Sequence, residues 1–241
     1  MQTTLKCLSA LLSYPSQALQ DAQKELAAVI ENGCRLTPDS KTALLKLIRH
    51  IGTSDLLDLQ ADYVGLFDQG RDLSLHVFEH VHGQSRDRGQ AMVDLLALYR
   101  RHNLAVEAHE LPDYLPLLLE FFAQLEMTEA QQLLADVMPV IALLGARLAH
   151  RNETSAAIFS ALAELAGTPE AVADKCDEVA QEGPDETVVN MDKIWEEEAV
   201  SFMTSADNCQ QDQQAVAPVH WAPRASSSQD ARPNPHIDGG S

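Results

Sequence analysis

The densest group of side chains able to do chemistry is His76-Val77-Phe78-Glu79-His80. It reads H-x-x-E-H, the inverted zinc-peptidase pattern. On a helix, His at i and i+4 share one face and hold the metal while the Glu acts as general base. This supports one reading of the chain as a zinc-dependent hydrolase using His76, Glu79 and His80. The pattern fixes only three of five positions, however, and no downstream Glu offers a distinctive third ligand. Other catalytic signals are lacking: Gly83 and Gly89 frame no P-loop, no Gly-x-Ser-x-Gly elbow occurs, and the four cysteines, Cys7, Cys34, Cys176 and Cys209, form no C-x-x-C pair. The residues alone favour a protein that binds rather than one that catalyses.

The neighbours of this motif suit binding. His80 and His82 stand two apart and face different sides of any helix, so one is expected to satisfy buried backbone and the other to meet solvent. Gly83 ends that helix, and Ser85 is placed to cap the next. Arg86 and Arg88 fit either pairing with Glu79 or Asp87 or a forked donor set for an oxyanion. Further on, Glu110-Leu111-Pro112-Asp113-Tyr114-Leu115-Pro116 carries two prolines four apart. Pro112 reads as a helix start with Asp113 at the positive end of the dipole. That placement brings Glu110, Asp113 and the Tyr114 hydroxyl to one rim, suited to gripping a positively charged peptide.

The elements that must position these residues read as helices throughout. Leu56, Leu59, Tyr63 and Phe67 share one helical face, and Leu111, Leu115, Leu118, Phe122 and Leu125 repeat the pattern. Thr37-Pro38 and Thr168-Pro169 mark helix starts, and Thr128 with Gln131 reads as a capping box. The expected helices lie near 3–13, 16–31, 38–51, 55–68, 75–82, 86–102, 112–126, 129–150, 154–166, 169–182 and 185–203, with Pro139 kinking or dividing the longest. Residues 204–241 combine four prolines and five glutamines with few large apolar residues. Too little apolar surface is available there to offset ordering the backbone, so a disordered tail is expected.

Charge narrows the partners. The chain of 241 residues holds 36 acidic and 17 basic side chains, a net charge of −19. Residues 1–163 contain 20 acids and 13 bases, whereas residues 164–203 contain 12 and 2, which sets them apart as an acidic helical extension. Such a surface repels phosphate backbones and anionic headgroups, so neither nucleic acid nor direct membrane binding is expected; a basic partner is attracted. The start of the chain is a poor signal peptide, no run reaches the ~18 apolar residues of a membrane helix, and scattered thiols fit a reducing compartment. A cytoplasmic location is expected.

Two long stretches carry a resemblance. The first runs Tyr63-Val64-Gly65-Leu66-Phe67-Asp68-Gln69-Gly70-Arg71, then Ser74-Leu75, then Phe78 through Leu96; the second runs Glu110 to Pro116 and on to Leu119-Glu120. Together they resemble the cytoplasmic chaperones of respiratory nitrate reductase, the NarJ/NarW type within the TorD/DmsD group of redox-enzyme maturation proteins. His76 stands where an apolar residue is expected in relatives, and Tyr114 replaces a frequent His. The likeness extends to about Phe202.

The resemblance implies an all-α, single-domain helical bundle of the TorD-like type over 1–203, followed by the tail at 204–241. It implies a non-enzymatic task, binding the basic N-terminal segment of the apo catalytic subunit. The client is held ready for insertion of the molybdenum bis(guanine dinucleotide) cofactor, which the chaperone itself does not bind stably, and is kept from premature membrane docking. The molybdenum cofactor synthesis machinery is a further expected partner. On this reading Tyr63, Leu66, Phe67 and Phe78 line or support a groove, with Pro112 and Tyr114 at its rim and Glu79, Glu110, Asp113 and Glu120 supplying charge. Arg71, His80, His82, Arg86 and Arg88 order the adjoining loop or meet the partner.

Overall fold

In a computed structural model the chain is described over residues 1–183 apart from Cys34, Gln84, residues 107–109 and Asn152, all within one compact unit. The expected helix at 185–203, the boundary at 203 and the tail lie outside the described residues. Within them the fold is all-helical: α1 (Gln2–Leu12), α2 (Gln17–Asp21), α3 (Gln23–Glu31), α4 (Pro38–Thr53), α5 (Leu56–Tyr63) with a π-helical turn at Val64–Asp68, α6 (Val77–His82), α7 (Asp87–Arg101), α8 (Leu115–Phe122), α9 (Met127–Asp136), α10 (Met138–His150), α11 (Ala156–Ala166) and α12 (Ala171–Val179). No single helix among the described residues is long and apolar enough to cross a membrane.

The core forms around α8, whose sequence Leu-Pro-Leu-Leu-Leu-Glu-Phe-Phe buries six of its eight side chains. α1 lies against it, fixed at both ends by side-chain bonds to backbone. The Ser9 hydroxyl donates to the Pro116 carbonyl (2.7 Å) and the Gln2 amide to the Leu125 carbonyl (2.9 Å). Each fully buried Leu here, such as Leu5, Leu8, Leu115 and Leu119, contributes about 1.5–3 kcal/mol by leaving water. On the far side α10 packs on α11 and α12. Gly145 permits that approach, because a Cβ there would fall 2.7 Å from the Phe159 Cβ.

Most local signals act as expected. The Thr37 hydroxyl accepts from the Ser40 N–H before Pro38, and Pro139 divides the longest expected helix into α9 and α10, bent by 64°. Other signals were overridden. Thr128 forms no capping box: α9 starts at Met127, and Gln131 donates instead to the Leu165 carbonyl. Thr168 precedes a turn rather than capping α12, which begins at Ala171.

The consequential departure concerns 112–126 and 75–82, both of which start later than expected. Leu111-Pro112-Asp113-Tyr114 is a turn, closed by the Tyr114 N–H donating to the Leu111 carbonyl (3.1 Å), with Pro112 in the second position that favours proline. Tyr114 then pairs antiparallel with His76, the Val77 N–H donates to the Asp113 carbonyl (3.1 Å) and the Leu115 N–H to the Leu75 carbonyl (2.8 Å). This bridge claims backbone that a helix would otherwise use. Leu111 therefore leaves the helical face assigned to it.

Candidate functional site

The bridge between His76 and Tyr114 brings the two signature stretches together, and Asp113 is the joint. Its carboxylate is completely buried. One oxygen accepts from the Phe78 N–H (3.1 Å), the other faces His76 Nδ1 (3.2 Å), and Arg88 approaches at 3.9 Å. α6 has no capping side chain of its own, so Asp113 satisfies its first turn from another part of the chain and neutralises the positive end of its dipole. Beside it, the Pro112 carbonyl accepts from the buried Tyr99 hydroxyl (2.9 Å), whose ring stacks edge-on against Phe121 in α8.

A second polar joint centres on Ser74. Its hydroxyl donates to Glu79 and accepts from the His76 N–H (3.3 Å), and its carbonyl accepts from His80 Nε2 (2.8 Å). Burial holds His80 below the usual histidine range, consistent with a neutral ring donating to that carbonyl. Arg88 Nη1 reaches Glu79 at 3.5 Å and thus bridges Glu79 and Asp113. His82 packs edge-on against Phe78, and Gly83 closes α6 at φ +53°, a conformation that strains any other residue. Ser85 accepts from the Asp87 N–H at the start of α7 (3.2 Å).

In front of these joints lies a surface groove of about 390 Å³ lined by His76, Glu110, Leu111 and Tyr114. Leu111 is 48% exposed, and Glu110 is exposed beside it. The Tyr114 ring lies 5.6 Å from that of His76. Its hydroxyl donates to Tyr63 Oη (2.8 Å), which donates in turn to the Leu12 carbonyl (3.2 Å). Burial pushes both phenols upward, with the nearby carboxylate of Asp68 adding to both and Glu110 to Tyr114. Tyr14, half exposed, stacks edge-on against Tyr63 at 5.4 Å, so an aromatic row runs from the α1–α2 corner to the groove.

The structure separates the expected site residues into distinct places. Glu110 and Tyr114 line the groove; Tyr63 stands behind Tyr114. Leu66 and Phe78 are half-buried against the core, and Phe67 is buried in it. Pro112 is buried. Asp113, expected at an exposed rim, is instead enclosed and internally paired, because the turn at 111–114 directs it inward. Glu120 is exposed on α8 and does not line the groove; Arg71 and Arg86 are exposed.

The zinc-peptidase geometry is not realised. His76 precedes α6 rather than sharing its face with His80, and the two rings turn to Asp113 and to the Ser74 carbonyl. Among the described residues no group of three or more His, Cys, Asp or Glu is placed to hold a metal. Sequence reasoning missed Leu111 and His76 as groove residues. The signal available was an apolar residue between Glu110 and a proline, where a turn competes with a helix.

Comparison with known proteins identifies the relatives of this chain. The family model for the nitrate reductase delta subunit matches residues 34–162, spanning both joints and the groove. The nitrate reductase molybdenum cofactor assembly chaperone NarJ of Escherichia coli (strain K12) is 46% identical over 198 residues, covering 82% of this chain and 84% of that protein. The probable chaperone NarW of the same strain is 41% identical over 199 residues, 83% of each chain. The probable chaperone NarJ of Bacillus subtilis (strain 168) is 30% identical over 165 residues, 67% of this chain and 86% of its own.

Proposed function

Since the chain belongs to the NarJ/NarW family of nitrate reductase molybdenum cofactor assembly chaperones, we propose that it acts as a non-catalytic cytoplasmic chaperone whose groove captures the basic N-terminal segment of the apo catalytic subunit of respiratory nitrate reductase. The observation that carries this reading is the groove's composition: an exposed leucine and a tyrosine ring for the apolar face of an amphipathic helix, with Glu110 at the edge and Asp68 near the tyrosines for the client's Lys and Arg. The buried joints do the positioning. Asp113, Arg88 and Ser74 fix α6 against the 111–114 turn, so the groove is formed before the client arrives and little ordering cost falls on binding.

Held in this way, the client's N-terminus is unavailable for membrane docking while its molybdenum bis(guanine dinucleotide) cofactor is inserted. The cofactor is cargo of the client, and the chaperone holds none stably. The test is calorimetric titration of the full chain with a synthetic peptide of the catalytic subunit's N-terminal segment. Binding is expected, weakened about tenfold or more by Leu111→Ala, the loss of one central apolar anchor. A peptide that binds equally well to the Leu111→Ala, Glu110→Gln double variant overturns the assignment of the groove.

A further inference from the structure

The last turn of α1 carries the Leu12 carbonyl that accepts from Tyr63, and about 16 Å away along the same helix its first turn opens on a separate cavity. That cavity, about 370 Å³, has walls that include Met1, Thr3 and Thr4 at the start of α1, Ala28 and Val29 of α3, and Arg35 beyond it. Among the described residues no carboxylate lines it. The first amide of α1 to reach a carbonyl within the helix is that of Leu5, which donates to Met1 (2.9 Å), so the Thr3 and Thr4 amides have no helical acceptor. The first turn holds no acidic residue, and no side chain caps it. Thr4 is only 5% exposed, yet its hydroxyl bonds to nothing among the described residues. The guanidinium of Arg35 is exposed, and its one partner among them is Met1 Sδ at 3.6 Å, a weak acceptor.

We propose that this cavity binds a carboxylate carried on a short apolar body, the chemistry shared by the C-terminal residue of a peptide and a free aliphatic acid. The donors set the sign of the head group. Two amides without acceptors at the positive end of a helix dipole, a hydroxyl without a partner and a guanidinium held only by a thioether all lack an anion, and two carboxylate oxygens can take four such donors. An enclosed hydroxyl left unbonded costs free energy that a ligand oxygen recovers on binding, so Thr4 adds specificity to what a bare helix end would give. The opposite wall sets the rest of the ligand. Ala28 and Val29 offer hydrocarbon and no charge, which suits a small aliphatic group, and the volume lies at the lower end of small-ligand sites. Arg35 is free to exchange its thioether contact for a charge-assisted bond, because an exposed side chain loses little by turning. Carboxylate at the helix start with an apolar group against α3 is the same division of labour by which backbone amides capture a peptide terminus elsewhere.

The site is separate from the peptide groove and is tested on the full chain, isotope-labelled at threonine, by NMR titration with N-acetylleucine, whose carboxylate and isobutyl group present both parts of the ligand. The Thr3 and Thr4 amide signals are expected to move saturably. N-acetylleucinamide, of the same shape without the charge, is expected to leave them in place. Thr4→Val, which removes the hydroxyl at nearly constant volume, and Arg35→Gln are each expected to weaken binding about fivefold, whereas Thr4→Ser retains it. Arg35 is exposed, so its variant gives a reading even where Thr4→Val fails to fold, and capture of the catalytic subunit's peptide by Arg35→Gln stays unchanged. Isovalerate titrated in parallel tells the two sources apart: tighter binding of N-acetylleucine assigns a peptide terminus, and equal binding a free acid. Absence of saturable shifts with both acids overturns the proposal, as does binding undiminished in Arg35→Gln. An equal response to the amide overturns the carboxylate class.

Discussion

Glu110 and Asp113 stand three residues apart in one motif and carry the same formal charge, yet they belong to regions with opposite tasks. The groove region, with Glu110, Leu111 and Tyr114, leaves its carboxylate in water and half of a leucine uncovered. The joint region, with Asp113, Ser74, Glu79 and Arg88, encloses Asp113 completely, leaves only about a quarter of the Glu79 and Arg88 side chains exposed, and gives each carboxylate a donor. A charge kept in water costs little and is available to a partner; a buried one is tolerated only when it is internally satisfied. One motif therefore supplies both the surface proposed to bind and the device that holds that surface in shape. Mutation should distinguish them by what fails first, folding or binding.

The largest effect is expected at the joint. Asp113→Ala leaves the Phe78 N–H and Arg88 short of a buried partner and uncaps α6, a loss of about 3–5 kcal/mol. Glu110→Gln, by contrast, should change stability by no more than about 0.5 kcal/mol, as surface substitutions do. Urea unfolding of the two variants measures both. Similar losses at the two positions would dissolve the distinction drawn between them.

Binding kinetics sharpen the same comparison within the groove. Glu110→Gln should slow association with the basic peptide at low salt, with the difference shrinking as ionic strength rises and the Debye length falls. Leu111→Ala should act on dissociation instead, since it removes packing and not steering. Stopped-flow measurements across a salt series separate the two. If both variants alter only dissociation, Glu110 is a contact and not a steering charge.

Helical periodicity made α1, α4, α7, α11 and the division at Pro139 legible from sequence, because those helices bury one continuous stripe. The joint was not legible. Pro112 satisfies both a helix start and the second position of a β-turn, and only the pairing of His76 with Tyr114, 38 residues apart in the chain, decides for the turn. That decision moves Leu111 from core to surface and Asp113 from surface to core. The same long-range pairing takes His76 off α6, which is why a sound H-x-x-E-H spacing gives no metal geometry. Charge alone offered Arg88 either Glu79, Asp87 or an external oxyanion; the choice of Glu79 and the second contact with Asp113 required the fold.

Tyr114→Phe probes the boundary between the two regions. The ring stays in the groove, while the hydroxyl that donates to Tyr63 is lost. A loss of about 1 kcal/mol in stability is expected, the usual net worth of one hydrogen bond, with peptide affinity changed less than by Leu111→Ala. Differential scanning calorimetry and the peptide titration give the two readings. A larger loss in affinity than in stability would make the hydroxyl part of the groove.

The smallest effect is expected at a third carboxylate, Glu164, which does the work of a joint while only half-buried. The Thr37 N–H (2.8 Å), the Thr37 hydroxyl (2.7 Å) and the Ser40 hydroxyl (2.6 Å) all donate to it, tying α11 to the start of α4. Burial alone would raise its pKa, but these donors outweigh burial and hold it below the usual glutamate range. A carboxyl depressed by folding stabilises fully above its unfolded pKa, and that contribution is lost as pH falls through the folded value. Wild-type stability should therefore drop more steeply on the acid limb, below the ordinary glutamate range, than that of Glu164→Gln, and salt should reduce the difference because the group is only partly enclosed. Urea midpoints taken across that limb provide the check. Parallel curves for the two proteins would mean that the three donors hold α4 to α11 no better when the carboxyl is charged, and that a joint needs enclosure, as at Asp113, before its charge counts.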